Sequence, residues 1–176
     1  MFKVMLGVLF FTIITLVVFL NLDPNIVQTP TSEITSLTNG FITVGISGEV
    51  QKPGTYIVKV DDQLSDLIAL SGGTSSNADE SAYQLTLPLF GGGQFYIAPK
   101  FDPTDVCGTS ELVKVGLNSA NKETLMTLSN IGTSLANAII EYRQSQGNFT
   151  YLEQIMEVSG IGQSTYTRIK NYITLL

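Results

Sequence analysis

Two isoleucine–glycine pairs near the C-terminal end of the chain carry the clearest chemical signal in the sequence. They are Ile131–Gly132 and Ile161–Gly162, thirty residues apart, and each separates two stretches whose apolar spacing predicts helices. Glycine allows a tight turn, and the isoleucine is expected to be buried and to hold the turn in place. The first N–H groups of the following helix lack acceptors and carry a partial positive charge, so they can bind a phosphate. Two such turns predict contacts to two phosphates, without readout of base sequence.

The two pairs lie at the centre of an internal repeat. Residues 125–134 (LMTLSNIGTS) align with residues 155–164 (IMEVSGIGQS), and each copy predicts a helix, a turn and a second helix. The boundaries expected for these helices are a cap at Asn121, an end at Gly147 and a capping box of Thr150 and Glu153. The expected apolar faces contain Ala136, Ile139 and Ile140, then Ile169, Tyr172 and Ile173.

The composition excludes several classes of active site. The chain of 176 residues contains no His, one Cys, 9 basic and 15 acidic residues. Without His there is no histidine general base, no Ser-His-Asp triad and no histidine-ligated metal, and one Cys cannot form a zinc cluster or an internal disulfide. The acidic pairs Asp61–Asp62 and Asp79–Glu80 lie where helix caps and loops are expected. We therefore predict no enzyme, no cofactor and no metal, and Cys107 is either a free thiol or the partner of an intermolecular disulfide.

A transmembrane helix is predicted at the N-terminus, as an anchor in residues 1–22. Residues 4–20 are apolar and uncharged, and at about 1.5 Å per residue this stretch is just long enough to cross a bilayer. Lys3 before it and Asp23 after it place the remainder of the chain outside the cytoplasm by the positive-inside rule. A cleaved signal peptide is the alternative, although NLDPNIVQTPTS after Leu20 lacks an A-x-A-like site. Both interpretations predict an extracytoplasmic protein, in the first case held at the cell membrane by a single span.

Charge and composition divide the remainder of the chain. The predicted parts are a spacer (23–40), an α+β domain (41–102), a linker (103–114) and an all-α domain (115–176). Residues 41–105 contain eight acidic and three basic side chains, whereas residues 112–176 contain five basic and four acidic ones. The net charge of −6 therefore comes mainly from the middle domain.

The α+β prediction for the middle domain depends on periodicity and turn residues. Ile42, Val44 and Ile46 alternate with small or polar residues, which is typical of a strand. Residues 52–55 (KPGT) predict a type II turn with positive φ at Gly54. The other expected features are a strand at 56–60, a helix capped by Asp61 or Asp62 with Leu64, Leu67 and Ile68 on its apolar face, an end at Gly72–Gly73, and a strand at 94–98 after Gly91–Gly93.

Both domains resemble known modules. The stretches VGISGEVQKPGTY, DQLSDLIALSGG and GGGQFYIAPK resemble the SLBB domain, a β-grasp-like fold, over roughly residues 41–100. Residues 117–176, with LNSANKETL, IIEYR and VSGIG, look like the paired helix-hairpin-helix domain of the ComEA family, the extracytoplasmic DNA receptors of natural transformation. The resemblance implies binding of double-stranded DNA without sequence preference, and transfer of that DNA to an uptake channel during competence.

The resemblance assigns the DNA contacts to two groups of residues. The hairpins and helix starts are Asn130, Ile131, Gly132, Thr133 and Ser134, then Gly160, Ile161, Gly162, Gln163 and Ser164. The candidate cations are Lys122, Arg143, Arg168 and Lys170. Asn130 stands where the family usually has glycine, and asparagine tolerates positive φ better than other non-glycine residues. Arg143 could equally interact with the C-terminal end of its own helix.

A second function stays open from the sequence, a cell-surface scaffold whose SLBB-like domain binds a glycan, a protein partner or another copy of itself. The low positive charge of the C-terminal domain favours this alternative, because the family is usually more basic there. The two functions are compatible, since self-association would cluster weak DNA sites and raise their avidity.

Overall fold

The structure, a computed structural model, describes residues 40–105 and 110–176. The predicted anchor at 1–22, the predicted spacer up to residue 39 and Cys107 lie outside the described residues. Within the two described ranges, no helix combines the length and the apolar character that crossing a bilayer requires. All of the described residues belong to one compact unit.

The N-terminal module is built on a three-stranded mixed sheet. Its strands are β1 (Phe41–Gly48), β2 (Gly54–Lys59) and β3 (Gln94–Ile97), in the order β2-β1-β3. β1 pairs antiparallel with β2 and parallel with β3, and Ile46 lies opposite Phe95. Val44 and Ile46 are buried while Thr43 and Ser47 are exposed, which confirms the predicted alternation. The α+β class predicted for this module is confirmed.

One helix, α1 (Leu64–Leu70), packs against the sheet, and its buried residues are Leu64, Leu67 and Ile68, as predicted. Its N-cap is Gln63, whose backbone N–H donates to the Asp66 carboxylate at 2.9 Å. The prediction of a cap at Asp61 or Asp62 is therefore wrong. The Asp62 carboxylate instead accepts from the backbone N–H of Lys59 at 2.8 Å, which closes the turn after β2.

Glycines shape two turns of this module, although not all of those expected. Gly72 and Gly73 end α1 with φ of +85° and +91°, as predicted. Gly54, by contrast, begins β2 and does not adopt a positive φ, so the type II turn prediction is wrong. Positive φ occurs instead at Gly48, where a Cβ atom would lie 2.2 Å from the carbonyl oxygen of Ile97. Only glycine fits there, because β1 and β3 approach so closely.

The C-terminal module contains short helices and one small strand pair. Its elements are β4 (Val115–Gly116), α2 (Lys122–Leu125), α3 (Thr133–Gln146), a 3-10 helix (Leu152–Glu157), α4 (Gln163–Ile169) and β5 (Ile173–Thr174). The predicted cap is confirmed, because the Asn121 side chain accepts from the Thr124 N–H at 2.8 Å. Gly147 ends α3 with φ of +92°, also as predicted. Ala136 and Ile139 are buried on the inner face of α3.

Three predictions for this module are wrong. The third helix is a 3-10 helix, and the Thr150 N–H bonds the Gln154 side chain at 2.9 Å, so Thr150 and Glu153 form no capping box. The fourth helix ends at Ile169, and Ile173 lies in β5 rather than on a helix face. β5 pairs in parallel with β4, which adds a small sheet to a domain that the sequence predicts as all-α.

The two modules pack against each other. Tyr151 of the helical module inserts among the sheet residues, with its ring centroid 5.6 Å from that of Phe90. Hydrogen bonds cross the same boundary, from the Tyr96 hydroxyl to the Asn171 side chain at 2.6 Å and from the Leu175 N–H to a carbonyl oxygen of the N-terminal module at 3.1 Å. The contacts fix the orientation of the helical repeat on the sheet.

Candidate nucleic-acid interface

The two predicted hairpins have matching backbones. Asn130 has φ of +64° and Gly160, thirty residues later, has φ of +89°. In each hairpin the isoleucine N–H then donates to the carbonyl oxygen three residues earlier, at 3.1 Å for Ile131 and 3.0 Å for Ile161. The tight turn therefore occurs one residue before each isoleucine. Asn130 accepts the left-handed conformation, as the sequence predicts.

The isoleucines anchor these turns. Ile131 and Ile161 are each 3% exposed and belong to the core of the helical module. The hairpins differ at the preceding residue, because a Cβ at Gly160 would lie 2.8 Å from a methyl carbon of Leu135. The positive φ therefore requires glycine at position 160, and a Cβ there would also displace the Leu135 side chain of α3.

Gly132 and Gly162 are the N-caps of α3 and α4, and their backbones are ordinary. Their φ values are −90° and −105°, with ψ of −178° at both, which is extended backbone that any residue adopts. No described atom beyond the chain neighbours lies within 4 Å of the position that a Cβ would occupy at either glycine. The prediction that these two glycines supply the turn is therefore wrong. Neither the turn nor internal packing requires glycine there, and both caps leave open space in front of a helix.

The open space faces unused N–H groups. The first helical hydrogen bonds run from Ala136 to the Gly132 carbonyl at 2.9 Å and from Tyr166 to the Gly162 carbonyl at 3.0 Å. A glycine cap has no side-chain oxygen, so the N–H groups between these positions have no helical acceptor. The side chains at the helix starts are exposed, and they are Thr133, Ser134, Gln163 and Ser164. The predicted contact residues of each hairpin thus lie close together, with exposed side chains around the helix start and with Ile131 and Ile161 buried in the core.

The predicted cations are not brought together in the same way. Arg143 donates to the carbonyl oxygens of Leu117 at 2.7 Å and Ala120 at 2.8 Å, which ties α3 to the segment before α2. Lys170 lies over the Tyr96 ring, with its Nζ atom 3.9 Å from the centroid, at the boundary between the modules. Both side chains have internal partners that compete with a phosphate.

Two cations in the described part of the helical module have no such partner. The side chains of Lys122 and Arg168 make no ion pair or hydrogen bond with the described residues, and Arg168 is exposed on α4. The free positive charge is therefore smaller than a count of basic residues indicates. Backbone N–H groups must provide much of any phosphate contact.

The sequence patterns do not predict a half-buried acid near the module boundary, Glu153. The Glu153 carboxylate accepts from the Tyr166 hydroxyl at 2.9 Å, and burial raises the pKa of Glu153 to about 7. The backbone N–H of Tyr96 and the charge of Lys170 act in the opposite direction. Position 153 matches a capping-box pattern, and nothing in the local sequence indicates that the SLBB-like module covers this residue.

Comparison with known proteins follows this division into two modules. The profile of the SLBB domain matches residues 43–98, and that of the helix-hairpin-helix motif matches residues 110–174. An uncharacterized protein of Haemophilus influenzae is 39% identical over 61 residues, which are 34% of this chain and 54% of that protein. Endonuclease/exonuclease/phosphatase family domain-containing protein 1 of Homo sapiens is 35% identical over 57 residues, which are 32% of this chain and 10% of that protein. A match to so small a share of the human protein gives no support for an enzyme.

A longer match spans both modules. ComE operon protein 1 of Bacillus subtilis is 38% identical over 148 residues, which are 78% of this chain and 71% of that protein. The same order of an SLBB domain and a helix-hairpin-helix motif was expected from the sequence. The chain therefore belongs to the family of ComE operon protein 1, the ComEA family.

Proposed function

We propose that this chain is a competence DNA-binding protein that holds double-stranded DNA without sequence preference. Two helix starts with unused N–H groups would each bind a phosphate, on residues 130–134 and 160–164. The observation that carries the proposal is the open space at Gly132 and Gly162, where the fold itself has no need of glycine. A DNA backbone can approach such caps closely, and membership of the ComEA family supports the same function.

We further propose that the protein acts outside the cytoplasm, held at the membrane by the predicted N-terminal anchor, and passes DNA to an uptake channel. The apolar residues 4–20 and the family support this placement. Lys122 and Arg168 would assist the N–H groups. Arg143 and Lys170 are candidates only where DNA displaces their internal partners.

The test is a fluorescence anisotropy titration of the full chain with duplexes of unrelated sequence. We expect similar affinities for all of them, and a plot of log K against log salt with a slope of about −2, because two free cations release few counterions. The absence of binding at low salt would refute the proposal. A strong preference for one duplex would refute the claim that only phosphates are contacted.

One observation favours a second candidate function, binding of a partner or another copy through the SLBB-like module. Ile57 on the edge strand β2 is 64% exposed and Phe41, on the neighbouring strand, is 42% exposed. Sedimentation of the full chain and of an Ile57→Glu variant tests it. Association that the substitution removes would support this function, and a monomer at all concentrations would contradict it.

A further inference from the structure

An open groove lies beside the first hairpin, and of its lining residues only Arg168 has a role in the proposed phosphate contacts. It has a volume of ≈ 550 Å³ and lies between the segment just before Asn130 and the end of the second repeat. Thr127 and Ser129 line one side, and Arg168 and Tyr172 line the other. The volume is in the range of sites that bind small organic groups.

The internal repeat shows that Tyr172 lacks a contact that its counterpart has. Tyr142 stands thirty residues earlier, and its ring is stacked on Phe149 with the centroids 4.9 Å apart and an interplanar angle of 18°. Phe149 lies just before the second copy of the repeat, and the corresponding residue just before the first copy, thirty positions earlier, is Ser119. Serine has no aromatic ring on which Tyr172 could stack. The Tyr172 side chain is 42% exposed, and within the described part of the chain its ring makes no ring contact and its hydroxyl makes no hydrogen bond.

The charge beside the two tyrosines also differs. The Tyr142 hydroxyl donates to the Glu157 carboxylate at 2.6 Å, so the first position already holds a negative charge. The residue of the first copy that corresponds to Glu157 is Thr127, which is uncharged and lines the groove. Arg168 lines the same groove, and its side chain has no partner among the described residues. An anion is therefore favoured at the second position and opposed at the first.

The apolar lining of the groove completes the environment for a planar group. Val115 and Leu128 are buried at 4% and 5% exposure, whereas Val113 at the rim is 85% exposed. The groove thus offers an exposed aromatic ring, aliphatic surface, the Ser129 hydroxyl, the Thr127 hydroxyl as an acceptor, since it donates to the Thr124 carbonyl oxygen, and one free guanidinium. A planar aromatic ring joined to a phosphate satisfies all of them.

We propose that this groove binds one unpaired nucleotide at the end of a DNA duplex, and this inference rests on the proposed function. The base stacks on Tyr172, in the manner of Phe149 on Tyr142, and the phosphate of the same nucleotide contacts Arg168. Ser129 directly precedes the hairpin at Asn130, so the groove lies next to the proposed phosphate contacts. An unpaired base is required, because bases inside a duplex already have both faces stacked on their neighbours. Stacking on aromatic side chains is tolerant of base identity, so the groove adds a preference for DNA ends without sequence readout.

The test compares the full chain bound to a blunt duplex and to the same duplex with a short single-stranded overhang. We expect the overhang to bind about tenfold more tightly, as one stacked base provides. Tyr172→Leu should remove this difference without changing the affinity for the blunt duplex, while Tyr172→Phe should keep it. Leu70→Ala is the control, because Leu70 is an exposed apolar side chain (54%) in the other module and belongs to neither proposed binding surface.

The outcomes separate this inference from the proposed function. Equal affinity for both duplexes overturns the groove assignment and leaves duplex binding intact. An overhang preference that persists in Tyr172→Leu also overturns it. No binding of either duplex refutes the proposed function itself. A groove that serves a protein partner would give equal affinities and no effect of Tyr172→Leu on DNA.

Discussion

Replacing Glu153 by Gln should stabilise the protein at neutral pH. The Glu153 carboxylate lies beneath the SLBB-like module, where it accepts from the Tyr166 hydroxyl at 2.9 Å. Burial raises the pKa of Glu153 from 4.5 to about 7. Near pH 6, the Glu153 carboxyl is therefore mostly protonated in the folded state and ionised in the unfolded state. Glutamine keeps an acceptor for Tyr166 and carries no charge.

The sign and size of the effect follow from this pKa. Because the folded-state pKa is the higher one, the free energy of unfolding is greatest below about pH 4.5 and decreases as the pH rises toward 7. At about 1.4 kcal/mol per pKa unit, the cost of ionising Glu153 approaches roughly 3 kcal/mol. Since Glu153 is only partly shielded from water, we expect about 2 kcal/mol.

The assay is urea denaturation of the full chain at several pH values from about 5 to about 8, followed by circular dichroism. The wild type should lose stability across this range, and Glu153→Gln should show a flatter dependence and a higher stability at the upper end. Glu141→Gln, an exposed substitution on α3 with the same chemistry, is the control and should follow the wild type. A wild type whose stability rises toward neutral pH, or a Gln variant that is less stable there, would show that Glu153 is not destabilising in its ionised form.

Three further substitutions test the described geometry by thermal or chemical unfolding. Arg143→Gln should cost about 1–3 kcal/mol, because two carbonyl oxygens lose a charged donor, and a cost near zero would show that these bonds are unimportant. Gly160→Ala should cost more than 1 kcal/mol, since its φ is +89° and a Cβ would also displace the Leu135 side chain, whereas Gly162→Ala should cost less, only the weaker N-cap preference of alanine; equal costs would contradict the conformational argument. Asn130→Ala should lower the free energy of unfolding by about 1 kcal/mol, because φ at this position is +64°, whereas Asn130→Gly should not lower it. A glycine variant less stable than the alanine variant would exclude a left-handed turn at residue 130.

The sequence patterns predicted those features of the fold that depend on residues close together in the chain. The strand alternation around Val44, the cap at Asn121 and the helix end at Gly147 all depend on residues within one or two turns, and all are confirmed. The hairpins were predictable for the same reason, because Asn130 and Gly160 supply the conformations their own turns require. The ComEA resemblance is confirmed as well.

The features that the sequence patterns did not predict depend on contacts between residues that lie far apart in the chain. Ile173 lies in a strand because it pairs with Val115, which is far away along the chain. The sheet module covers Glu153, which gives this carboxylate a burial that no local pattern indicates. Arg143 donates to carbonyl oxygens more than twenty residues earlier in the chain. The residues next to Ile173, Glu153 and Arg143 in the sequence include none of these partners, so a local pattern could not indicate them. Counting charges therefore overestimated how many cations are free for DNA.

If DNA phosphates approach the caps at Gly132 and Gly162, a negative charge placed at either N-cap must weaken DNA binding. Aspartate is a favourable N-cap, so Gly132→Asp and Gly162→Asp should leave the stability equal or higher while placing a negative charge where the phosphate lies. Gln63→Asp adds the same charge at the N-cap of α1, outside the proposed site, and serves as the control. We predict that each hairpin variant weakens binding of an unrelated duplex by roughly tenfold or more while Gln63→Asp leaves it nearly unchanged. If a stable variant with both Gly132→Asp and Gly162→Asp bound DNA with wild-type affinity, phosphate contacts at these two caps would be excluded.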